Sequence, residues 1–436
     1  AEHMRYDEAM AYIHHISWTG SRPGLTRIEE LCAKMGHPER ELQYIHVVGT
    51  NGKGSFCRML SAVLTAAGYK TGLFTSPYIE TFNERMQIDG ENIGNDELAA
   101  ITGYVKPFAD TMADPPTEFE LITAVGFEYF RRNRCDIVVL EAGLGGRLDS
   151  TNVIPSPALV VVTGIDYDHM AILGDTLAKI AAEKAGVIKP GTTVLFGEGA
   201  SEAEGVIRET TERICGIEAY HRTDYRRIEH CSTSLEGTTF SFAPFGELHL
   251  SMLGMYQLHN AANVLTAIAL LRDKGYLIPD EAVRQGLAGA RWKARFEILC
   301  RDPLILYDGA HNPQGIAAAE ENIRRYLAPL TQSGKVELLM GVLADKEYRA
   351  MIHTLSPYAA HVVTITPPSP RALDAAETAA IFRENGVEAV AADTVADGVR
   401  LAVEAARKEK MPLFILGSLY LYGDVKKALA AIPDLA

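Results

Sequence analysis

The sequence predicts an α/β protein in two parts: a mainly parallel sheet of the phosphate-loop (P-loop) type, then a smaller Rossmann-like α/β part. Three observations carry this. Short apolar runs alternate with helical patterns along most of the chain, as parallel strands with helices on their faces do. At the first junction, Tyr44-Ile45-His46-Val47-Val48 runs into Gly49-Thr50-Asn51-Gly52-Lys53-Gly54-Ser55 and then a helical pattern, the strand, glycine turn and helix of a phosphate site. A polar, Gly-containing stretch over 286–293 then separates this series from a fresh one.

In the first part, apolar runs place strands at 45–48, 71–74, 137–140, 159–163 and 193–196. Helical spacing places helices at 55–67, 95–108, 118–131, 176–188, 203–215 and 257–274. Residues 225–251 alternate apolar and polar side chains, as a small antiparallel lobe would. In the second part strands fall near 304–307, 336–340, 361–364, 387–391 and 413–416. The intervening helices fall near 313–326, 346–355, 375–384, 394–408 and 421–431. Pro367-Pro368-Ser369-Pro370 reads as a surface loop of restricted backbone. The expected domains are 4–290 and 294–436, with Ala1-Glu2-His3 ahead of Met4 read as a cloning remnant.

Composition narrows the function. The chain has 436 residues and a net charge of −14, with no lysine or arginine stripe, which argues against general nucleic-acid binding. An anionic substrate must then be met by local cations. No apolar stretch reaches the roughly 20 residues needed to cross a bilayer, and no signal peptide is evident. The six cysteines are scattered without metal-type pairing and read as reduced thiols in a cytoplasmic protein.

The chemistry gathers where strands end, the place where open α/β sheets bind ligands. In the glycine turn, Lys53 can reach the outer phosphates and Ser55 can ligate Mg²⁺, although Gly54 intervenes where the usual loop runs Lys directly into Ser or Thr; a flexible turn with a chance lysine is the alternative. Glu141 follows Ile137-Val138-Val139-Leu140, either holding Mg²⁺ or capping the next turn. A second glycine turn, Gly143-Leu144-Gly145-Gly146-Arg147-Leu148-Asp149, could let a ligand approach the backbone. His169, beyond the run ending Gly164-Ile165, is either a metal ligand or a hydrogen-bonded bystander. Lys184 shares a helical face with Leu177, Ile180, Ala181 and Ile188. It either snorkels to water or is held inside, where a more nucleophilic amine could take up CO₂ as a carbamate. Asp308 ends the run Leu304-Ile305-Leu306-Tyr307 and opens Asp308-Gly309-Ala310-His311-Asn312-Pro313. It could bond a ribose hydroxyl, with His311 on the same crevice. Arg295, just past the boundary, is either a phosphate clamp or an interdomain salt bridge.

With these residues assembled, the chain resembles the folylpolyglutamate synthase/dihydrofolate synthase family of the Mur ligase superfamily. The resemblance runs nearly end to end, through Gly49–Ser55, Ser76-Pro77-Tyr78, Phe82-Asn83-Glu84-Arg85, Thr117-Glu118-Phe119-Glu120, the segment 141–152, Glu183-Lys184-Ala185-Gly186, His259-Asn260, the segment 308–313 and Gly417-Ser418. It implies a first-part ATPase domain and a C-terminal glutamate-ligase domain. It implies ATP contacts from Gly52, Lys53, Gly54, Ser55, Asn260, Arg295 and Asp308. Two Mg²⁺ sites would be held by Ser55, Glu141, His169 and a carbamoylated Lys184, with Lys53, His169 and Lys184 as the catalytic set. Thr117, Glu118, Phe119, Glu120, Leu148, Asp149 and Ser150 would line the pteroate or folate pocket. Arg85, His311 and Ser418 would contact L-glutamate. The loop 21–25 would help cover the clefts. The implied reaction is ATP-dependent amide ligation through an acyl phosphate; a monomer is the default expectation, with no direct support in the sequence. A requirement for a monovalent cation, and the choice between dihydropteroate and reduced folates, stay open.

Two other readings fit the sequence less well. A UDP-muramoyl Mur ligase would be expected to carry a UDP-binding domain ahead of the loop, and about 48 residues are too few for one. A nucleotide-gated binding module would not need the Glu141–His169 pair or Asp308 with His311.

Overall fold

A computed structural model describes residues 3–15, 24–166, 174–254 and 256–435. The chain forms two compact units. The first comprises 1–232, 238–251 and 256–291, and the second comprises 233–237, 252–255 and 292–436.

The first unit is built on an eight-stranded sheet. Its strands are β1 (Tyr44–Val48), β2 (Thr71–Phe74), β3 (Met86–Ile88), β4 (Glu91–Asn92), β5 (Ile137–Glu141), β6 (Leu159–Gly164), β7 (Thr193–Glu198) and β8 (Tyr220–Arg222), in the order β4-β3-β2-β5-β1-β6-β7-β8. From β2 to β8 every pairing is parallel, and β3 and β4 add an antiparallel edge. The unbroken burial of β1, β2 and β5 explains their continuous apolar runs, because both faces are covered.

On one face, helices Tyr6–His15, Thr26–Lys34, Asn95–Asp110 and Glu118–Arg132 share a core with Tyr44, Phe74, Val138 and Leu140. Another core joins Val160, Val162, Val194 and Phe196 to helices Leu177–Ala185 and Ser201–Cys215. The P-loop helix Lys53–Ala66 packs closely on Asp280–Gly289, where a Cβ at Gly286 would stand 2.5 Å from a Val63 methyl. Strands β9 (Ile228–Ser234), β10 (Gly237–Phe242) and β11 (Glu247–Leu250) form the antiparallel sheet that the alternation over 225–251 predicts.

The second unit has six strands: β12 (Glu297–Arg301), β13 (Leu304–Asp308), β14 (Val336–Met340), β15 (Ala359–Thr364), β16 (Ala389–Ala391) and β17 (Leu413–Leu416), in the order β12-β13-β17-β14-β15-β16. Only β12 runs antiparallel. Helices Pro313–Asn322, Tyr348–Leu355, Ala375–Glu384 and Val395–Glu409 connect the parallel strands, and Tyr422–Ala430 follows the last of them. No described helix is long and apolar enough to cross a membrane.

Candidate active site

In the first unit the site forms at the carboxyl ends of β1, β5 and β6. Because β1 lies between the other two, the turn that leaves it is flanked by Glu141 on one side and by Thr163 and Gly164 on the other. The turn is held from β6: Thr50 N donates to Gly164 O at 2.8 Å, and Thr163 Oγ1 donates to Asn51 O at 2.6 Å. Gly52 has φ +85°, which an L side chain strongly disfavours, and a Cβ there would lie 2.6 Å from Asn260 Oδ1. The same contact brings Asn260 to the loop, and Asn260 is held in turn by donating to Gln257 Oε1 at 2.9 Å. Lys53 begins the helix and donates to Ala142 O at 3.2 Å, so its ammonium stands one residue beyond Glu141. Ser55 is buried in the first turn.

Glu141 is 5% exposed and its Oε2 accepts from Ser76 N at 2.9 Å. Lys184 is 1% exposed, which settles its two readings in favour of the inward one. Its helix ends against the second glycine turn, where Arg147 N donates to Glu183 O at 2.8 Å. His169 lies outside the described residues, as do residues 21–23 of the expected covering loop. Among the described residues no group of three or more His, Cys, Asp or Glu is placed to hold a metal. The hard oxygens of Ser55 and Glu141 still suit Mg²⁺, which takes one or two protein ligands and completes its shell with phosphate and water.

Arg85 joins this edge. Its guanidinium lies over the rings of Tyr78 and Phe82, 5.5 and 5.6 Å from their centroids. Its Nε is buried and has no hydrogen-bond partner among the described residues. Burial lowers its pKa, while Tyr78, Glu118 and Glu141 act in the opposite direction. An oriented cation with an unused donor suits a carboxylate.

The residues expected at the pteridine pocket divide into two groups. Phe119 is partly buried beside Phe74, and a Cβ at Gly143 would stand 2.8 Å from the Phe119 ring. Leu148 is half-buried and Ser150 is buried, its hydroxyl 3.4 Å from that of Thr123. The others face inward or are engaged. Thr117 and Glu120 form the capping box of helix Glu118–Arg132, and Glu120 is also paired with buried Arg27 at 2.9 Å. Glu118 bonds His14. Asp149 turns its carboxylate into its own loop, accepting from Leu144 N at 2.8 Å and Thr151 Oγ1 at 2.5 Å.

The second unit gathers its polar residues at the ends of β13 and β17. Asp308 is buried and accepts from Phe296 N at 3.0 Å and Ala310 N at 2.8 Å. Burial raises its pKa, and Arg295 opposes that rise. Arg295 stacks on Trp292 at 4.6 Å, with its Nε buried and without a hydrogen-bond partner among the described residues. His311 Nδ1 donates to Gly309 O at 2.9 Å, leaving Nε2 as the acceptor nitrogen of the neutral ring. Burial lowers the His311 pKa, and Lys346 and Arg295 add to the effect. Ser418 is buried and accepts from Tyr420 N at 3.1 Å. The reading of the sequence missed Thr163, Trp292 and Tyr307, whose hydroxyl donates to Ser418 O. The run Val-Val-Val-Thr-Gly at the end of β6 was the available signal for Thr163.

A P-loop on a mainly parallel sheet, followed by a second α/β unit with its own polar crevice, defines a nucleotide-using ligase architecture. The chain belongs to the Mur ligase superfamily, in its folylpolyglutamate synthase/dihydrofolate synthase branch. Residues 47–271 match the Mur ligase middle domain, and residues 294–419 match the Mur ligase glutamate ligase domain. The chain is 35% identical to a dihydrofolate synthase/folylpolyglutamate synthase of Bacillus subtilis, over 97% of this chain and 99% of the relative. It is 34% identical to a folylpolyglutamate synthase of Lacticaseibacillus casei, over 98% and 99%. Among solved structures, the folylpolyglutamate synthase of Thermotoga maritima superposes with TM-score 0.85 at 30% identity, covering 98% of this chain and 97% of that one. An FPGS–AMPPCP–folate complex superposes with TM-score 0.80 at 33% identity, covering 98% and 100%.

Proposed function

We propose that the chain joins the amino group of L-glutamate to the carboxylate of a folate-type substrate, consuming ATP through an acyl phosphate. The observation that carries this reading is the convergence of Lys53, Glu141 and Arg85 at one sheet edge, where cations meet a phosphate loop. A substrate carboxylate oxygen attacks the γ-phosphorus and ADP departs. The glutamate nitrogen then attacks the acyl carbon, inorganic phosphate leaves, and the amine gives up a proton.

The first step brings two anions together, so the residues must offset charge before the bond forms. Lys53 supplies a point charge at the outer phosphates, and the N–H groups of the Gly52–Ser55 turn supply oriented dipoles. Mg²⁺, held by Ser55 and Glu141, would neutralise phosphate oxygens. Arg85 would orient a carboxylate with its unused Nε–H. We assign Phe119, Leu148 and Ser150 to the pteridine ring. Neutral His311 offers Nε2 as an acceptor for the glutamate ammonium, with Ser418 beside it. Roles of Asn260, Arg295 and Asp308 with the nucleotide, of His169 and a carbamoylated Lys184 with a second metal, and of a monovalent cation belong to this proposal on family resemblance. A monomeric state, as the default, and a cytoplasmic location, read from the scattered cysteines, complete the proposal.

The test is ADP release with 7,8-dihydropteroate or a reduced folate, with and without L-glutamate. Turnover that requires glutamate is expected, and the better acceptor identifies the substrate. ADP release indifferent to glutamate would reduce the chain to a nucleotide switch. Lys184→Ala should abolish turnover without rescue by bicarbonate, and full activity in that variant would defeat the carbamate.

A further inference from the structure

His46 is a polar residue in the middle of β1, fully buried in an otherwise apolar strand. Burying an imidazole there costs more than burying valine or isoleucine, so its hydrogen bond needs a use. The bond leads to the second glycine turn. Asp149 Oδ1 accepts from Gly143 N at 3.1 Å and Leu144 N at 2.8 Å. Its Oδ2 accepts from Thr151 N at 3.1 Å and from Thr151 Oγ1 at 2.5 Å. The Thr151 hydroxyl has one proton and gives it to the carboxylate. It must then accept from His46 Nε2, which stands 2.8 Å away.

The direction of the chain fixes the tautomer, with the proton on Nε2 and the lone pair on Nδ1. Nδ1 is buried without a partner among the described residues, which an aprotic nitrogen tolerates better than an N–H would. Burial, with Lys189 adding to it, lowers the His46 pKa to about 3, so the ring stays neutral at working pH. Lys189 steadies the same turn from the far side, donating to Asn152 Oδ1 at 2.9 Å.

We propose that His46 is a positioning residue for the pteridine-bearing substrate, acting through Thr151 and Asp149 to set the turn that carries Leu148. The proposal rests on the reading of that pocket as the pteridine site. Because the strand that bears His46 also delivers the P-loop, one rigid element sets the phosphate turn and, through side chains, the pteridine turn.

The experiment compares His46→Phe, Thr151→Val, their double variant and His46→Gln in steady-state assays of the full chain. Gln can place an amide N–H near the position of Nε2. KM for the pteridine substrate should rise about tenfold in His46→Phe and in Thr151→Val, the order of one hydrogen bond lost. The double variant should be no worse than either single one, and His46→Gln should recover most of the loss. The kcat and the KM values for ATP and glutamate should stay within twofold. Unchanged pteridine KM in folded single variants, additive effects, or equal rises for all three substrates would overturn the proposal. Should neither variant fold, the wild-type ¹⁵N imidazole signals decide. A neutral His46 protonated at Nε2 from pH 5 to 8 supports it, and the other tautomer or an imidazolium overturns it. If the wild type shows no glutamate-dependent turnover, it is the functional reading that fails.

Discussion

Single side chains at the P-loop have narrow tolerances. Gly52→Ala forces an L residue into the left-handed region at φ +85° and drives a methyl to 2.6 Å from Asn260 Oδ1. The backbone strain alone is about 1–2 kcal/mol, and ATP affinity measured by calorimetry should fall at least tenfold. Lys53→Met keeps the stem but removes the charge. Loss of a positioned cation at transferring phosphate should lower kcat by about 10²–10³, read as ADP release, with the fold unchanged by circular dichroism. His311 gives a pH signature. Its pKa is held below the ordinary value near 6.5, so the ring keeps its acceptor Nε2 down to a lower pH than a free histidine would. The acid limb of kcat/KM for glutamate should therefore fall below pH 6.5 and vanish in His311→Gln.

Among the elements, the N-terminus of helix Glu118–Arg132 shows how a motif can resemble a binding segment and serve as a cap. Thr117 accepts from Glu120 N at 3.2 Å, and Glu120 accepts from Thr117 N at 2.8 Å. Arg27 on helix Thr26–Lys34 completes a buried ion pair with Glu120, the two side chains 9% and 5% exposed. This ties together two helices far apart in sequence, at the end where Phe119 meets the glycine turn. Arg27→Met leaves the Glu120 carboxylate buried without that cation and should cost about 3 kcal/mol, measured from urea denaturation of the full chain. Combining it with Glu120→Gln should restore much of the loss. Thr117→Ala removes only the hydroxyl cap, about 1 kcal/mol.

At the scale of the whole molecule, the two units should respond differently to pH. In the second, buried Glu337 on β14 bonds His361 on β15 at 2.7 Å. The Glu337 bond raises the His361 pKa, and burial raises that of Glu337. A raised histidine pKa contributes stability that is present below about pH 6.5 and lost as pH climbs through the folded value. A carboxyl whose folded pKa is raised also loses stability with rising pH, from about 4.5 upward. Both signs agree, so hydrogen exchange of β14 and β15 amides in the full chain should quicken from pH 5 to 8 beyond the intrinsic base-catalysed rise, and Glu337→Gln should flatten that excess. The thiols report the cores more directly. Cys231 is exposed, Cys215 intermediate, and Cys32, Cys57, Cys135 and Cys300 buried. Burial raises the pKa of Cys135 to about 12 and that of Cys57 well above its ordinary value. An aromatic disulfide reagent should therefore titrate one thiol rapidly and the buried four only on unfolding.

Local pattern alone determined the strand and helix types, the P-loop, the acid ending β5 and the existence of two α/β series, because periodicity and glycine spacing are properties of neighbouring residues. The short strands β3, β4, β8 and β12, and the helices Tyr6–His15 and Thr26–Lys34, carry too little pattern to stand out. Only the tertiary structure decided that β1 lies between β5 and β6, so that the phosphate turn is braced by Thr163 and neighboured by Glu141. It also turned Asp149 inward, made Thr117 and Glu120 a cap, and placed residues 233–237 and 252–255 with the second unit. The reason is the same in each case. The partner of a polar side chain is chosen by contacts between residues distant in the chain, and residue spacing holds no record of which distant strand or helix arrives beside it.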